Sequence, residues 1–216
     1  MQVSEVLKYV DYTMLSNVGN LSEYEAFLNK ALKYMPASVC LPGFLVPKAK
    51  EYLAGRVKIT SVISFPLGYS STECKIFEAK SLVSLGASEI DMVMNINEFK
   101  SGNYNYILDE INKVKDAINE NILKVIVETS LLDREEIIKV TRLVSESDAN
   151  YIKTSTGFGK YGANFEDVGL ILSNKRKSLK VKASGGIKSI EEAVKFIELG
   201  VDRIGSSKII DSLEKD

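Results

Sequence analysis

VKASGGIKSIEEAVKFIELGVDRIGSS, residues 181–207, holds a short apolar run, a helical segment and a second short run in that order. Val181–Ala183 is an extended candidate, and Arg203–Ile204 is another. Between them Ile190, Val194 and Ile197 recur at spacings of four and three, which builds one apolar stripe on a helix. Ser189 stands where a cap would, with Glu192 three positions later as a capping-box partner. Gly200 follows the helical pattern and suits a left-handed C-cap. The unit is strand, helix, strand.

The same alternation runs back along the chain. Further candidate strands are Val10–Met14, Ser38–Leu41, Lys58–Ile63, Glu89–Met94, Leu123–Val127 and Tyr151–Lys153. Several are nearly continuous apolar runs, as strands covered on both faces should be. Ile107, Ile111, Val114 and Ile118 form one helical stripe, and Ile137, Thr141 and Val144 form another. Gly86, like Gly200, ends a helical pattern just before a strand. Eight repeats fit within 216 residues, and a closed sheet gives an α/β fold of the (β/α)8 TIM-barrel type as a single domain over residues 1–216. The alternative is an open doubly wound sheet. A barrel places functional groups at the C-terminal ends of its strands.

Composition narrows the chemistry. Hydrophobic residues make up 45% and charged residues 26%, so a largely disordered chain is excluded. A net charge of -1 gives no basic face for nucleic acid or membrane. Histidine is absent, which removes Ser-His-Asp hydrolysis and histidine metal sites. Cys40 and Cys74 match no redox or metal spacing. No run approaches the roughly eighteen apolar residues of a spanning helix, and the opening residues have no signal-peptide pattern. The expectation is a reduced, soluble, cytoplasmic protein.

Two lysines stand at strand ends. In Tyr151-Ile152-Lys153-Thr154-Ser155-Thr156-Gly157-Phe158-Gly159, side-chain alternation puts Lys153 and Ser155 on one face. An inward lysine is costly to bury, unless a depressed pKa makes it an amine nucleophile. The other reading is a strand-edge lysine in solvent. Lys182 repeats the feature on the next strand. Two inward ammonium groups repel, so one should be neutral near pH 7. Otherwise Lys182 pairs with a carboxylate, with Glu128 as one candidate partner. Asp91 interrupts the apolar run Glu89–Met94 and either relays a proton or belongs to a buried ion pair. Asp11 is a weaker case of the same kind. Gly185-Gly186 and Gly205-Ser206-Ser207 end the last two strands, where barrels often bind phosphate through backbone N–H groups.

At these residues the chain resembles the class I deoxyribose-phosphate aldolase family. Tyr151–Gly159 is similar to its Schiff-base lysine motif, with Lys153 in the nucleophile position. Val181–Ile187 resembles its second-lysine segment, with Lys182 as the neighbour that depresses the nucleophile's pKa. Asp91 matches its proton-relay aspartate. Similar stretches are Asp11–Leu15, Ile63–Gly68 with Glu73, Lys75, Phe77 and Glu78, Lys124–Thr129, and Gly205–Ser207. The chain departs from the pattern at Tyr12, where histidine is common, and at Cys40-Leu41-Pro42, which is one residue contracted. Its last residues, Asp211–Asp216, include no tyrosine of the kind that assists proton transfer in some members.

The resemblance implies reversible cleavage of 2-deoxy-D-ribose 5-phosphate to D-glyceraldehyde 3-phosphate and acetaldehyde, with no metal or organic cofactor. Lys153, Lys182 and Asp91 would be catalytic. Gly185, Gly186, Ser206 and Ser207 would hold the phosphate, and Asp11, Thr156 and Glu128 would support the site. A homodimer is the expected assembly. Alternatives are another lysine-dependent phosphosugar aldolase or transaldolase, and a non-catalytic phosphosugar-binding barrel. A bulky residue at Gly205 or Gly186 is expected to raise KM for the phosphorylated sugar selectively.

Overall fold

Each strand of the sheet pairs in parallel with its neighbours in chain order, and β1 pairs with β8 to close the barrel. The structure is a computed structural model that describes residues 1–16 and 19–214. The final Lys215 and Asp216 of the C-terminal comparison lie outside the described residues.

The strands are β1 Val10–Thr13, β2 Ser38–Leu41, β3 Lys58–Ile63, β4 Glu89–Val93, β5 Ile122–Ile126, β6 Tyr151–Lys153, β7 Lys180–Ser184 and β8 Arg203–Ser206. The helices are α1 Val3–Leu7, α2 Leu21–Tyr34, α3 Val46–Leu53, α4 Thr72–Leu85, α5 Ile96–Lys100, α6 Tyr104–Ala117, α7 Arg134–Glu146, α8 Phe165–Asn174, α9 Ile190–Leu199 and α10 Ile209–Ser212. The closed alternative therefore holds over the open sheet.

Strand ends differ from expectation by one or two residues, for two reasons. Hydrophobicity runs past the ladder at Met14 and Met94, which keep one trailing bond each, to the carbonyls of Cys40 and Ile126. Conversely, β7 and β8 extend into polar residues because Ser184 pairs with Gly205, and Ser206 with Tyr12. Backbone pairing is blind to side-chain polarity.

Alternation then sorts the side chains. Ile90, Met92, Val125, Ile152, Val181 and Ile204 are fully buried and belong to the continuous apolar core that includes Ile107, Ile111 and Val114 of α6. Each such side chain contributes about 1.5–3 kcal/mol on burial. On α9 the face centres on Ala193 and Phe196, while the expected stripe of Ile190, Val194 and Ile197 is only partly buried. The stripe therefore marks the flank of that face. Ser189 caps α9 by accepting from the Glu192 N–H at 3.2 Å. The Glu192 carboxylate turns to the Lys188 N–H instead, so the reciprocal half of the expected box is not formed. Gly86 and Gly200 end their helices at positive φ, 123° and 116°, as expected of C-caps.

Among the described residues, one fully buried ion pair lies outside the barrel. Lys75 of α4 and Glu110 of α6 are fully buried and 2.8 Å apart. Lys75 donates to the Val93 carbonyl at 2.9 Å, and Glu110 accepts from the Asn95 N–H at 3.2 Å. The pair thus pins the end of β4, two residues beyond Asp91. Lys75→Met strands the Glu110 charge and is expected to lower unfolding stability by about 3–5 kcal/mol in urea titration. A loss near zero would show that Glu110 finds another partner.

Candidate active site

The other strand face fills the barrel with charge. Asp11, Glu89, Asp91, Lys124, Lys153, Lys182 and Arg203 are all buried. Asp91 is the hub: Lys124 donates to its Oδ1 at 2.7 Å, and Lys153 and Lys182 donate to its Oδ2 at 2.8 and 2.7 Å. Lys182 also reaches Asp11 Oδ2 at 2.5 Å. Arg203 donates to Asp11 Oδ1 at 2.5 Å and to Glu89 Oε2 at 3.1 Å.

Lys182 therefore pairs with Asp11 and Asp91, not with Glu128. Glu128 lies two residues beyond the end of β5. Its backbone there is left-handed, with φ of 50°, and the carboxylate turns to the loop after β6. It accepts from the Thr156 N–H at 3.0 Å, from the Thr156 hydroxyl, and from the Ser130 hydroxyl at 2.9 Å. Glu128 and Thr156 thus hold the loop that follows Lys153. A side chain at Gly159 would collide with both Glu128 and Ser130.

Titration follows from these contacts. For Lys182, burial alone would favour the neutral amine, but Asp11 and Asp91 outweigh it and raise its pKa well above the usual lysine range. For Lys153, burial lowers the pKa, the Lys182 charge adds to that, and Asp91 opposes without winning. Burial would raise Asp91, but Lys124, Lys153 and Lys182 hold it far below the ordinary carboxylate range. Asp11 is held down in the same way by Lys182, Lys124 and Arg203. The two lysines are pushed in opposite directions: Lys182 toward the cation and Lys153 toward the amine.

A cavity of about 720 Å³ opens above the cluster. Of the buried bases among the described residues, only Lys153 borders it; Lys182, Lys124 and Arg203 lie beneath. Tyr12, Gly185, Gly186, Ser206 and Ser207 line its wall and mouth. The Tyr12 ring stacks on Phe27 at 4.1 Å, and its hydroxyl donates to Asp211 at 2.9 Å. Cys40 faces the same interior, its thiol pushed up to about 11 by burial.

The loop after β7 is built backbone on backbone. Ala163 N–H donates to both Ser184 and Gly185 carbonyls at 3.0 Å. A Cβ on Gly162 would sit 2.1 Å from the Gly185 oxygen, and Gly185 itself has φ of +85°, so neither position accepts a side chain. The Ser206 hydroxyl is committed to the protein: it donates to the Ile187 carbonyl at 2.7 Å and accepts from the Lys208 and Ile209 N–H groups. Ser207, by contrast, is exposed at the mouth.

Gly205 also has a close-packing part that its residue type alone does not show. A Cβ there would meet Ser184 Cβ at 2.6 Å and Lys182 Cε at 3.2 Å. It makes room for Lys182. Gly205→Val is therefore expected to cut kcat on phosphorylated and unphosphorylated sugars alike, by on the order of 10²-fold. A rise confined to KM for the phosphorylated sugar would restore Gly205 to the phosphate end.

Sequence reading missed Lys124, Glu89 and Arg203. The available signal was alternation: Glu89 and Asp91 share a face, and the parallel register sets Lys124 beside Asp91 and Arg203 beside Lys182. Among the described residues no group of three His, Cys, Asp or Glu is arranged to hold a metal ion.

Residues 5–205 match the model of the DeoC/LacD family aldolases. The deoxyribose-phosphate aldolase of Streptococcus agalactiae serotype Ia is 45% identical over 210 residues, covering 97% of this chain and 94% of that protein. A crystal structure from Coccidioides immitis, provisionally called a deoxyribose-phosphate aldolase, superposes with a TM-score of 0.93 at 38% identity, covering 99% of this chain and 87% of that one. The tetrameric deoxyribose phosphate aldolase of Aeropyrum pernix gives 0.87 at 27% identity, covering 99% and 92%.

Proposed function

The chain belongs to the DeoC/LacD family of aldolases, and we propose that it cleaves 2-deoxy-D-ribose 5-phosphate reversibly to D-glyceraldehyde 3-phosphate and acetaldehyde, with Lys153 as the Schiff-base amine. One observation carries the assignment of Lys153: among the described residues it is the only buried base at the cavity, where burial and the Lys182 charge favour its neutral form.

The Lys153 amine adds to the C1 aldehyde of the open-chain sugar. Loss of water leaves a protonated imine. As the C3 hydroxyl gives up its proton, the C2–C3 bond breaks and its electron pair moves toward the imine nitrogen. Glyceraldehyde 3-phosphate leaves with C3 as its aldehyde, and an enamine remains on Lys153. A proton returns to C2, water hydrolyses the imine, and acetaldehyde departs. Asp91 and Lys182, hydrogen-bonded to each other beside Lys153, move these protons through an ordered water.

The phosphate is read onto the backbone of Gly185, Gly186 and Ser206 and onto Ser207, around the cavity mouth. Asp11, Glu128 and Thr156 hold the groups that touch substrate. A homodimer in the cytoplasm completes the proposal. Two free cysteines support a reducing compartment, no helix of the described residues is long and apolar enough to cross a membrane, and light scattering decides the assembly.

The test is retro-aldol turnover of deoxyribose 5-phosphate without added metal, coupled to glyceraldehyde 3-phosphate detection. Unphosphorylated deoxyribose should react on the order of 10²-fold more slowly, since remote binding lowers the barrier at the reacting carbon. Gly186→Val should raise KM for the phosphorylated sugar more than for the unphosphorylated one: a Cβ there meets no protein atom within 4 Å, and the backbone strain set by its φ of +80° falls on both substrates alike. Absence of turnover on the phosphorylated sugar would overturn the substrate.

A further inference from the structure

The barrel holds more buried charge than the proposed aldol steps use. Lys124 of β5 is fully buried and stands 2.7 Å from Glu89 Oε2, 2.7 Å from Asp91 Oδ1 and 3.6 Å from Asp11 Oδ2. It also donates to Thr60 of β3 at 3.3 Å. Glu89 joins it to Arg203 at 3.1 Å. Neither Lys124 nor Glu89 borders the cavity. Packed apolar residues of similar volume would often serve stability as well as a buried pair does. Stability alone is thus a weak reason for these charges.

The charge count supplies another. The groups facing Lys153 and Lys124 are Asp11 on β1, Cys40 on β2, Glu89 and Asp91 on β4, Tyr151 on β6, Lys182 on β7 and Arg203 on β8. The Cys40 thiol is uncharged near neutral pH, and Tyr151 presents its ring to Arg203. Three carboxylates then face Lys124, Lys182 and Arg203, three cations. Among the described residues of the cluster, Lys153 is a fourth base with no fourth acid.

We propose that Lys124 and Glu89 are positioning residues for the amine chemistry, an opposed pair that sets the net charge of the buried cluster so that Lys153 completes it as the free amine. This rests on Lys153 being the nucleophile. Lys124 also holds one Asp91 oxygen, which leaves the other to Lys153 and Lys182. Removing the Lys124 charge leaves the cluster one positive charge short, and Lys153 takes up a proton to replace it. Removing the Glu89 charge does the reverse. Removing both restores the balance.

The experiment is reductive trapping of acetaldehyde with cyanoborohydride across pH, with the adduct located by peptide mass spectrometry. In Lys124→Met the trapping midpoint should move up by about one pH unit or more. In Glu89→Gln it should move down by a comparable amount, and in the double variant it should return to the wild-type position. Reduced trapping with unmoved midpoints in both single variants marks a merely structural role and overturns the proposal. If Lys124→Met does not fold, Glu89→Gln decides: a downward shift supports the proposal, and an unmoved or upward midpoint overturns it. Wild-type adduct on a residue other than Lys153 overturns the nucleophile and this inference together. Adduct on Lys153 with unmoved midpoints overturns this inference alone.

Discussion

Lys153→Ala is expected to lower retro-aldol turnover by at least about four orders of magnitude and to abolish borohydride-dependent attachment of acetaldehyde. Among the described residues no other buried base borders the cavity, so none of their amines stands ready to replace it. Lys182, the nearest alternative, is fully buried beneath and held by two carboxylates. Stability should change less than activity. The lost group is pushed toward the neutral form in the fold, so its removal strands little compensating charge. Lys153→Arg tests the same point from the other side: it fills the space but keeps a permanent cation, and it should be equally inactive. Trapped adduct persisting in Lys153→Ala, mapped to Lys182, would reverse the roles of the two lysines.

Lys182→Leu should raise the apparent pKa of the Lys153 amine by at least about one unit, equivalent to about 1.4 kcal/mol. Two effects oppose each other. Leucine adds apolar surroundings, which disfavour an ammonium group. But Lys153 is already only 3% exposed, so little further desolvation is available. Loss of the Lys182 cation acts directly, because it leaves Asp11 and Asp91 with one positive charge fewer. Charge wins, and Lys153 takes the proton.

The sign follows. The folded-state pKa of Lys153 lies below the ordinary 10.5, and imine formation rises with pH through that value. In the variant the rise moves to higher pH, and at a fixed pH below it the amine fraction falls about tenfold per unit. Stopped-flow imine formation against pH reads this directly. An unchanged imine profile with slowed enamine protonation would make Lys182 a proton carrier instead. If neither step changes, Lys182 is structural.

Much of this was legible in the chain. Alternating apolar runs and helical stripes predicted eight strands in order, and Lys153, Lys182 and Asp91 were identified by ionisable residues interrupting strands. Those signals are local: a period of two or of 3.6 residues is written within a few neighbours. Phosphate-end detail was less legible. Gly205 and Ser206 read as anion contacts; Gly205 also clears space for Lys182, and the Ser206 hydroxyl also closes a loop. Glycine and serine serve turns, close approach and ligand binding with the same atoms, so type alone does not choose among them.

What the sequence by itself determined is the alternation, and through it the strand face on which each ionisable side chain stands. Only the tertiary structure decided which acid meets which base. Lys182 and Asp11 lie 171 residues apart and Arg203 and Asp11 192 apart, joined because β1 closes onto β8 at one register. Depth along the barrel axis was decided there too. It left Lys153 at the cavity and sealed Lys182, Lys124 and Arg203 below it. The physical reason is range: side-chain alternation is a property of one strand, whereas Coulomb partners and access to water are set by strands whose positions follow from closure of the whole sheet.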